Sequence, residues 1–188
     1  MKQWLVFLLF LSLGCSLTSV DDAPTEPDVA ETMERFGSSN IQFYLIAPED
    51  NGVSGTPVGC GDSIVAVSAE KAVTGDLQNN LRAALESLFS LEEENYGRAG
   101  LITNLHTTNM QIESISVEGD GVTINMGGIF SLVGVCSDAR MQAQILHTIF
   151  QFPQVNRAVV YINGENMKQL FDMRGVELDD ASYTRDDL

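Results

Sequence analysis

Serine, histidine, cysteine and carboxylate side chains make and break bonds or hold metals, and this chain offers few of them at chemical spacing. Gly61-Asp62-Ser63 is a local pattern in which two classes of hydrolase present a nucleophilic serine, a group that needs a histidine to take its proton. Ser63 is followed by Ile64-Val65-Ala66-Val67, which reads as the core of a strand, with no second glycine after it. The histidines are His106 and His147, and Gln144 stands where an Asp-x-x-His pair would put its carboxylate. The segment therefore reads as a turn leading into a strand, and no catalytic residue is assigned. Two distant histidines with no Cys or carboxylate at ligand spacing give no metal site. No acidic loop alternates Asp or Asn ligands with a Gly and a distal Glu, so the acidic clusters read as solvated faces. Gly127-Gly128 lacks the spacing of a phosphate-binding loop and reads as a bend or bulge. No cofactor is expected.

The 188 residues are 44% hydrophobic and 19% charged, the composition of one globular domain with some unstructured length. Ten Lys and Arg against 26 Asp and Glu give a net charge of −16, a field that repels phosphate backbones and excludes nucleic acid as a partner. The N-terminus has a signal-peptide layout: Met1-Lys2-Gln3, an apolar stretch over residues 4–13, then Gly14-Cys15. Leu11-Ser12-Leu13-Gly14-Cys15 resembles the bacterial lipobox, with Ser12 where Leu is usual. Cleavage after residue 14 would leave Cys15 as the lipidated N-terminal residue, and each buried methylene of its acyl chains adds about 0.8 kcal/mol of membrane affinity. The expected location is the cell membrane, lipid-anchored on the extracytoplasmic face. After residue 14 no apolar run approaches the roughly 20 residues needed to span a bilayer. Residues 16–39, mostly Ser, Thr, Asp, Glu and Pro, read as a flexible acidic tether with a reach of about 25 to 30 Å. With Cys15 they make up the segment 15–39. Residues 177–188 read as an acidic unstructured tail.

Between these ends, residues 40–176 carry a regular pattern. Residues 41–47 alternate apolar side chains before a Pro-Glu-Asp-Asn-Gly turn, and residues 62–67 make a second apolar strand. Leu77, Leu81, Leu85, Leu88 and Phe89 share one helical face behind Asp76 as N-cap. Residues 110–117 and 122–126 form a hairpin around Gly119-Asp120-Gly121. Ser137 and Asp138 can cap a helix that runs to Phe150 and carries apolar residues on more than one side. Residues 158–162 form a last strand ending at Asn163-Gly164. The order β, β, α, β, β, α, β is that of an α+β domain, with a mixed sheet of about five strands and two helices packed on it. Phe43, Phe89, Phe130, Phe150 and Phe152 fall on inward positions. If Cys15 is acylated, Cys60 and Cys136 remain, an even count in an oxidising compartment, and they are expected to form a disulfide. Cys60 opens the second strand and Cys136 precedes the second helix, so a compact sheet could bring them within the 4.4 to 6.8 Å Cα separation that a bridge requires. Two separately buried thiols are the alternative.

The run from Gln144 to Val155, then residues 159–162 and Asn163-Gly164, resembles the C-terminal half of the GerMN domain, the sporulation and spore germination module. Residues 81–89 are similar to its first helix, Gly100-Leu101-Ile102 to its post-helix loop, and residues 112–126 to its central strands. The resemblance implies a domain akin to the ring-building α/β modules of envelope assemblies, often carried behind a lipobox and tether. It further implies a non-catalytic interaction or assembly role, with an envelope protein or a second copy as partner. An extracytoplasmic lipoprotein binding a small ligand or glycan in a groove between helix and sheet is the other reading. An exposed apolar patch or sheet edge favours the first reading, and a concave pocket with convergent polar groups the second.

Overall fold

The computed structural model describes residues 40–172, 174 and 176–188. Cys15 and the tether lie outside the described residues. The α+β class is found, with the strands distributed over two sheets. The first is antiparallel and is built around β1 (Asn40–Ala47), whose apolar alternation buries Ile41, Phe43 and Leu45. One side of β1 carries β3 (Ser63–Ala72), with the short β2 (Thr56–Pro57) beyond it; the other carries β5 (Leu101–Ile102) and then β4 (Asn95–Tyr96).

The second sheet holds the hairpin β6 (Gln111–Glu118) and β7 (Gly121–Gly127), with β8 (Arg157–Ile162) parallel to β7. Two short strands, β9 (Glu165–Asn166) and β10 (Tyr183–Thr184), pair with β8. A parallel pair needs a crossover, and α2 (Val135–Phe150) supplies it between β7 and β8. α1 (Leu77–Phe89) starts where Asp76 accepts the Asn79 N–H at 3.0 Å. It buries Leu81, Ala84, Leu85 and Leu88, the i, i+4 stripe visible in sequence. α2 buries Met141, Ile145, Leu146 and Ile149 with Gln144 and Thr148, so it is enclosed on more than one side. It begins at Val135, two to three residues before the expected caps. Asp138 sits inside its first turn and reaches back to accept the N–H groups of Val133 and Gly134 at 2.9 and 3.3 Å.

The expectation of an unstructured tail over residues 177–188 is corrected. Residues 183–184 form β10 against β8, and Tyr183 is only 1% exposed. Its hydroxyl accepts from Gln142 Nε2 at 2.9 Å, and its burial pushes the phenol well above the usual tyrosine range. Arg185 donates to the carbonyls of Phe150, Phe152 and Val155 at 2.8 to 3.0 Å, closing the C-terminal end of α2, and stacks over the Phe150 ring. One aromatic and one arginine among acidic residues carry no local pattern, which is why the tail read as solvated. Arg185→Ala leaves these carbonyls without their donor and is expected to lower the free energy of unfolding by about 2 to 3 kcal/mol. Urea denaturation checks this, with Arg185→Lys, which lacks the planar fork, recovering less than half.

Candidate functional site

Asp62 and Ser63 are fully buried and hydrogen-bonded within the protein. The Ser63 hydroxyl donates to Asp50 Oδ2 at 2.6 Å and accepts the Gly52 N–H at 2.7 Å, so its proton is held by a carboxylate that closes the β1–β2 loop. Hydrogen bonds from the Ser54 N–H, then from the Ser63 and Ser54 hydroxyls, hold the Asp50 carboxyl below the usual range. The histidines serve elsewhere. His106 Nδ1 lies 3.0 Å from the Thr103 carbonyl, and His147 packs on the Tyr44 ring at 5.6 Å, where burial lowers its pKa. Gln144, fully buried, accepts the Asn104 N–H at 3.0 Å and donates to the Tyr44 carbonyl at 3.1 Å and the Thr103 hydroxyl at 3.2 Å. It is a strut between α2, β1 and the loop after β5.

Asp62 accepts from Arg140 Nε at 2.6 Å, from its second nitrogen at 3.1 Å and from the Glu49 N–H at 3.0 Å. Burial alone would raise this carboxyl; the Arg140 and Glu49 hydrogen bonds and the guanidinium charge outweigh it and hold the group below the usual carboxylate range. Two residues earlier, Cys60 is bonded to Cys136, with Cα atoms 5.8 Å apart. Cys136 and Arg140 are one helical turn apart, so α2 presents Cys136 to the short turn Gly59–Gly61 and Arg140 to Asp62 directly after it. The sequence reading paired the cysteines and missed Arg140; its i, i+4 spacing from Cys136 was the available signal.

This double clamp fixes the start of α2, and the loop feeding it is the most apolar exposed segment described. Ile129, Leu132, Val133 and Val135 are 46% to 71% exposed. No charged residue occurs from Gly127 to Ser137 in a chain of net charge −16. Both stems are pinned. Asn163 brackets Gly128 with a bond to its N–H and another to its carbonyl, at 3.1 and 3.0 Å, and the Ile129 N–H donates to Thr108 O at 2.6 Å. Phe130 turns inward against the Phe171 ring at 5.6 Å. Gly128 has φ 158, and a Cβ there would meet the Thr108 carbonyl at 2.8 Å, so only glycine allows this exit from β7. The result is an apolar rib held in one shape with its side chains in solvent.

A polar cleft of about 320 Å³ is lined by Asn40, Gln42, Thr74, Asn80, Gln151 and Phe152 among others. Its amides are mostly engaged by the protein. Gln151 bonds both backbone groups of Gln42 and the Thr148 carbonyl, while Asn80 bonds the Thr74 N–H, hydroxyl and carbonyl. Among the described residues no group of three or more His, Cys, Asp or Glu is placed to hold a metal ion.

A family model described as Germane, sporulation and spore germination, matches residues 42–168. The chain belongs to this family. The Germane match ends before β10, so the docked tail lies outside it. The Germane family is a sporulation-associated one. Among solved structures, the tandem GerMN domains of the sporulation protein GerM from Bacillus subtilis align with 68% of this chain at 16% identity and a TM-score of 0.46. The aligned part is 40% of that chain, so this Germane domain spans well under half of the GerM structure. A Clostridium perfringens chain described as a lipoprotein aligns over 79% of this chain and 88% of its own length, at 12% identity and a TM-score of 0.41. No curated protein matches.

Proposed function

We propose that this Germane-family chain is a lipid-anchored, non-catalytic docking module of the bacterial cell envelope. In this reading Cys15 holds it on the extracytoplasmic face and the apolar rib at residues 129–135 makes the contact with a partner. The observation that carries the reading is the rib itself. Contiguous exposed aliphatic side chains are disfavoured on a free surface unless something covers them, and here they are displayed on a braced loop rather than folded away. The chemistry suits a protein partner with an apolar hollow: a rigid loop forfeits little entropy on docking, and the uncharged rib brings no ion to desolvate. The ligand-binding reading gains little, because the amides around the cleft already bond to backbone and side chains of the domain.

A photo-crosslinking residue at position 133 in cells tests the docking role. Wild type is expected to give one reproducible adduct. Leu132→Asp with Val135→Asp should reduce its yield at least about tenfold, the effect of about 1.4 kcal/mol, with the melting temperature unchanged because both side chains are exposed. His106→Ala and His147→Ala should leave the adduct intact in folded protein. An adduct insensitive to the Asp pair would remove the rib from the interface. Anchoring is tested separately: mass spectrometry of the mature N-terminal peptide is expected to find Cys15 carrying a lipid adduct, and an unmodified terminus elsewhere would overturn it.

A further inference from the structure

The bridge between Cys60 and Cys136 stands at the surface, with both residues exposed. Cys60 lies between Gly59 and Gly61, so neither chain neighbour puts a side chain over its sulfur. It is held at φ 66, in the left-handed region that a residue with a Cβ rarely adopts, and opening the bridge lets that strain relax. Cys136 is the second residue of α2, where the N–H groups of the first turn have no intrahelical acceptor and favour a negative charge. Asp138 in that turn has its carboxylate tied to the N–H groups of Val133 and Gly134. The rib leads straight into the bridge. Val135 precedes Cys136, and from Ile129 to Gly134 the chain forms neither helix nor strand and makes no turn or bend. One turn beyond Cys136, Arg140 holds Asp62 through two hydrogen bonds, at 2.6 and 3.1 Å, a contact that does not depend on the bridge.

We propose that Cys60–Cys136 is a thiol–disulfide exchange site and that the rib seats its reductant, a dithiol protein whose nucleophilic thiol is ringed by apolar surface. This deepens the docking reading above and rests on it for the role of the rib. The occupant follows from what adjoins the bond. An uncharged aliphatic segment, braced and running directly into an exposed disulfide, fits a partner that grips the chain beside the sulfur it attacks. A net charge of −16 repels small anionic thiols, so apolar contact has to supply the encounter. The partner's thiolate attacks Cys60 Sγ, the bond between Cys60 and Cys136 breaks, and Cys136 leaves as a thiolate at the start of α2 and takes a proton from water. The partner's second thiolate then attacks its own sulfur in the mixed disulfide and releases Cys60, which is protonated in turn. Two electrons pass from the dithiol, which ends as a disulfide, to the bridge, which ends as two thiols. Reduction unties the base of the rib from the Gly59–Gly61 turn while Arg140 keeps α2 on Asp62, so the two redox forms share one fold and differ in the bracing of the rib.

The test uses the full chain with its bridge formed, thioredoxin as the probe protein and dithiothreitol as the small dithiol. Thioredoxin with its second active-site cysteine replaced by serine is expected to be trapped on Cys60, with Cys136 left open to alkylation. A trap on Cys136 instead would overturn the order of attack, and no trap under conditions where dithiothreitol opens the bridge would overturn the site. Leu132→Ser with Val133→Ser should slow reduction by intact thioredoxin at least about tenfold, the weight of two buried aliphatic side chains. Serine adds no charge to repel an attacking thiolate, so the rate with dithiothreitol should stay within about twofold. Equal slowing with both reductants, or none with thioredoxin, removes the rib from the site. The reduced and alkylated chain should still melt cooperatively; loss of the cooperative transition would make the bridge a staple and overturn the exchange role. The photo-adduct at position 133 separates this proposal from the docking reading. An adduct that persists while thioredoxin neither traps nor responds to the serine pair leaves docking standing and exchange refuted, whereas trapping and rate effects without an adduct in cells refute the docking role alone.

Discussion

Replacing Cys60 and Cys136 together by serine is expected to lower the free energy of unfolding by about 4 to 5 kcal/mol, since the bridge spans 76 residues of sequence and the chain-entropy model scales with the logarithm of the loop. Stability of this order is a large part of what a domain of this size possesses, so the reduced protein should unfold at markedly lower urea concentration. The effect is not confined to the denatured chain. Cys136 is the second residue of α2 and follows the apolar rib directly, so breaking the bridge also frees the base of the rib. Hydrogen exchange over residues 128–136 should accelerate in the reduced protein more than exchange in the centre of β1. Thiol labelling of denatured protein supplies the direct measurement: no reactive thiol at positions 60 and 136 before reduction and two afterwards. Two free thiols without reduction would mean that no bridge forms.

The second large effect is expected at Arg140. Arg140→Met removes the cation from a carboxylate that is fully buried, and breaking a buried pair on one side costs about 3 to 5 kcal/mol. Adding Asp62→Leu should recover more than half of this, because the uncompensated charge has gone and only the Glu49 N–H loses its acceptor. The pH dependence carries a sign. In the wild type the folded carboxyl sits below its unfolded value, so the stability it contributes is present above about pH 4 and is lost as pH falls through the depressed folded value. In Arg140→Met the carboxyl is buried without a cation, its folded value rises, and protonation relieves the burial penalty. The gap between the two proteins, measured by chemical denaturation, should therefore narrow steadily from pH 7 to pH 3. A gap independent of pH would show that Asp62 is not the charge at issue.

Residues a few positions apart carried most of what could be read early. Asp76 ahead of the 77, 81, 85, 88 stripe announces α1, and the structure caps and buries it as that pattern demands. The alternation from residue 41 announces β1, and Asp120-Gly121 the β6–β7 hairpin. The apolar-and-turn run over residues 144–164 was sufficient to indicate the family. The Gly-Asp-Ser segment read as a turn into a strand on local grounds, and the Asp50 acceptor for Ser63 gives that reading its atomic form.

The cysteine pair is the one distant contact the sequence suggested, and it did so through compartment and parity rather than geometry. Other decisive contacts join residues whose separation has no local signature. Arg140 meets Asp62 across 78 positions, Gln144 meets Tyr44 across 100, and Tyr183 and Arg185 dock on α2 and its end from a stretch that composition alone assigns to solvent. By itself the sequence determined the two long helices, the longer strands, the α+β class and the family, because periodicity and capping act within a turn or two of chain. Only the tertiary structure decided which strands share a sheet, which edge stays open, and that the uncharged segment after β7 stands out as a rib. Those outcomes depend on which surfaces remain after the buried groups have found their partners.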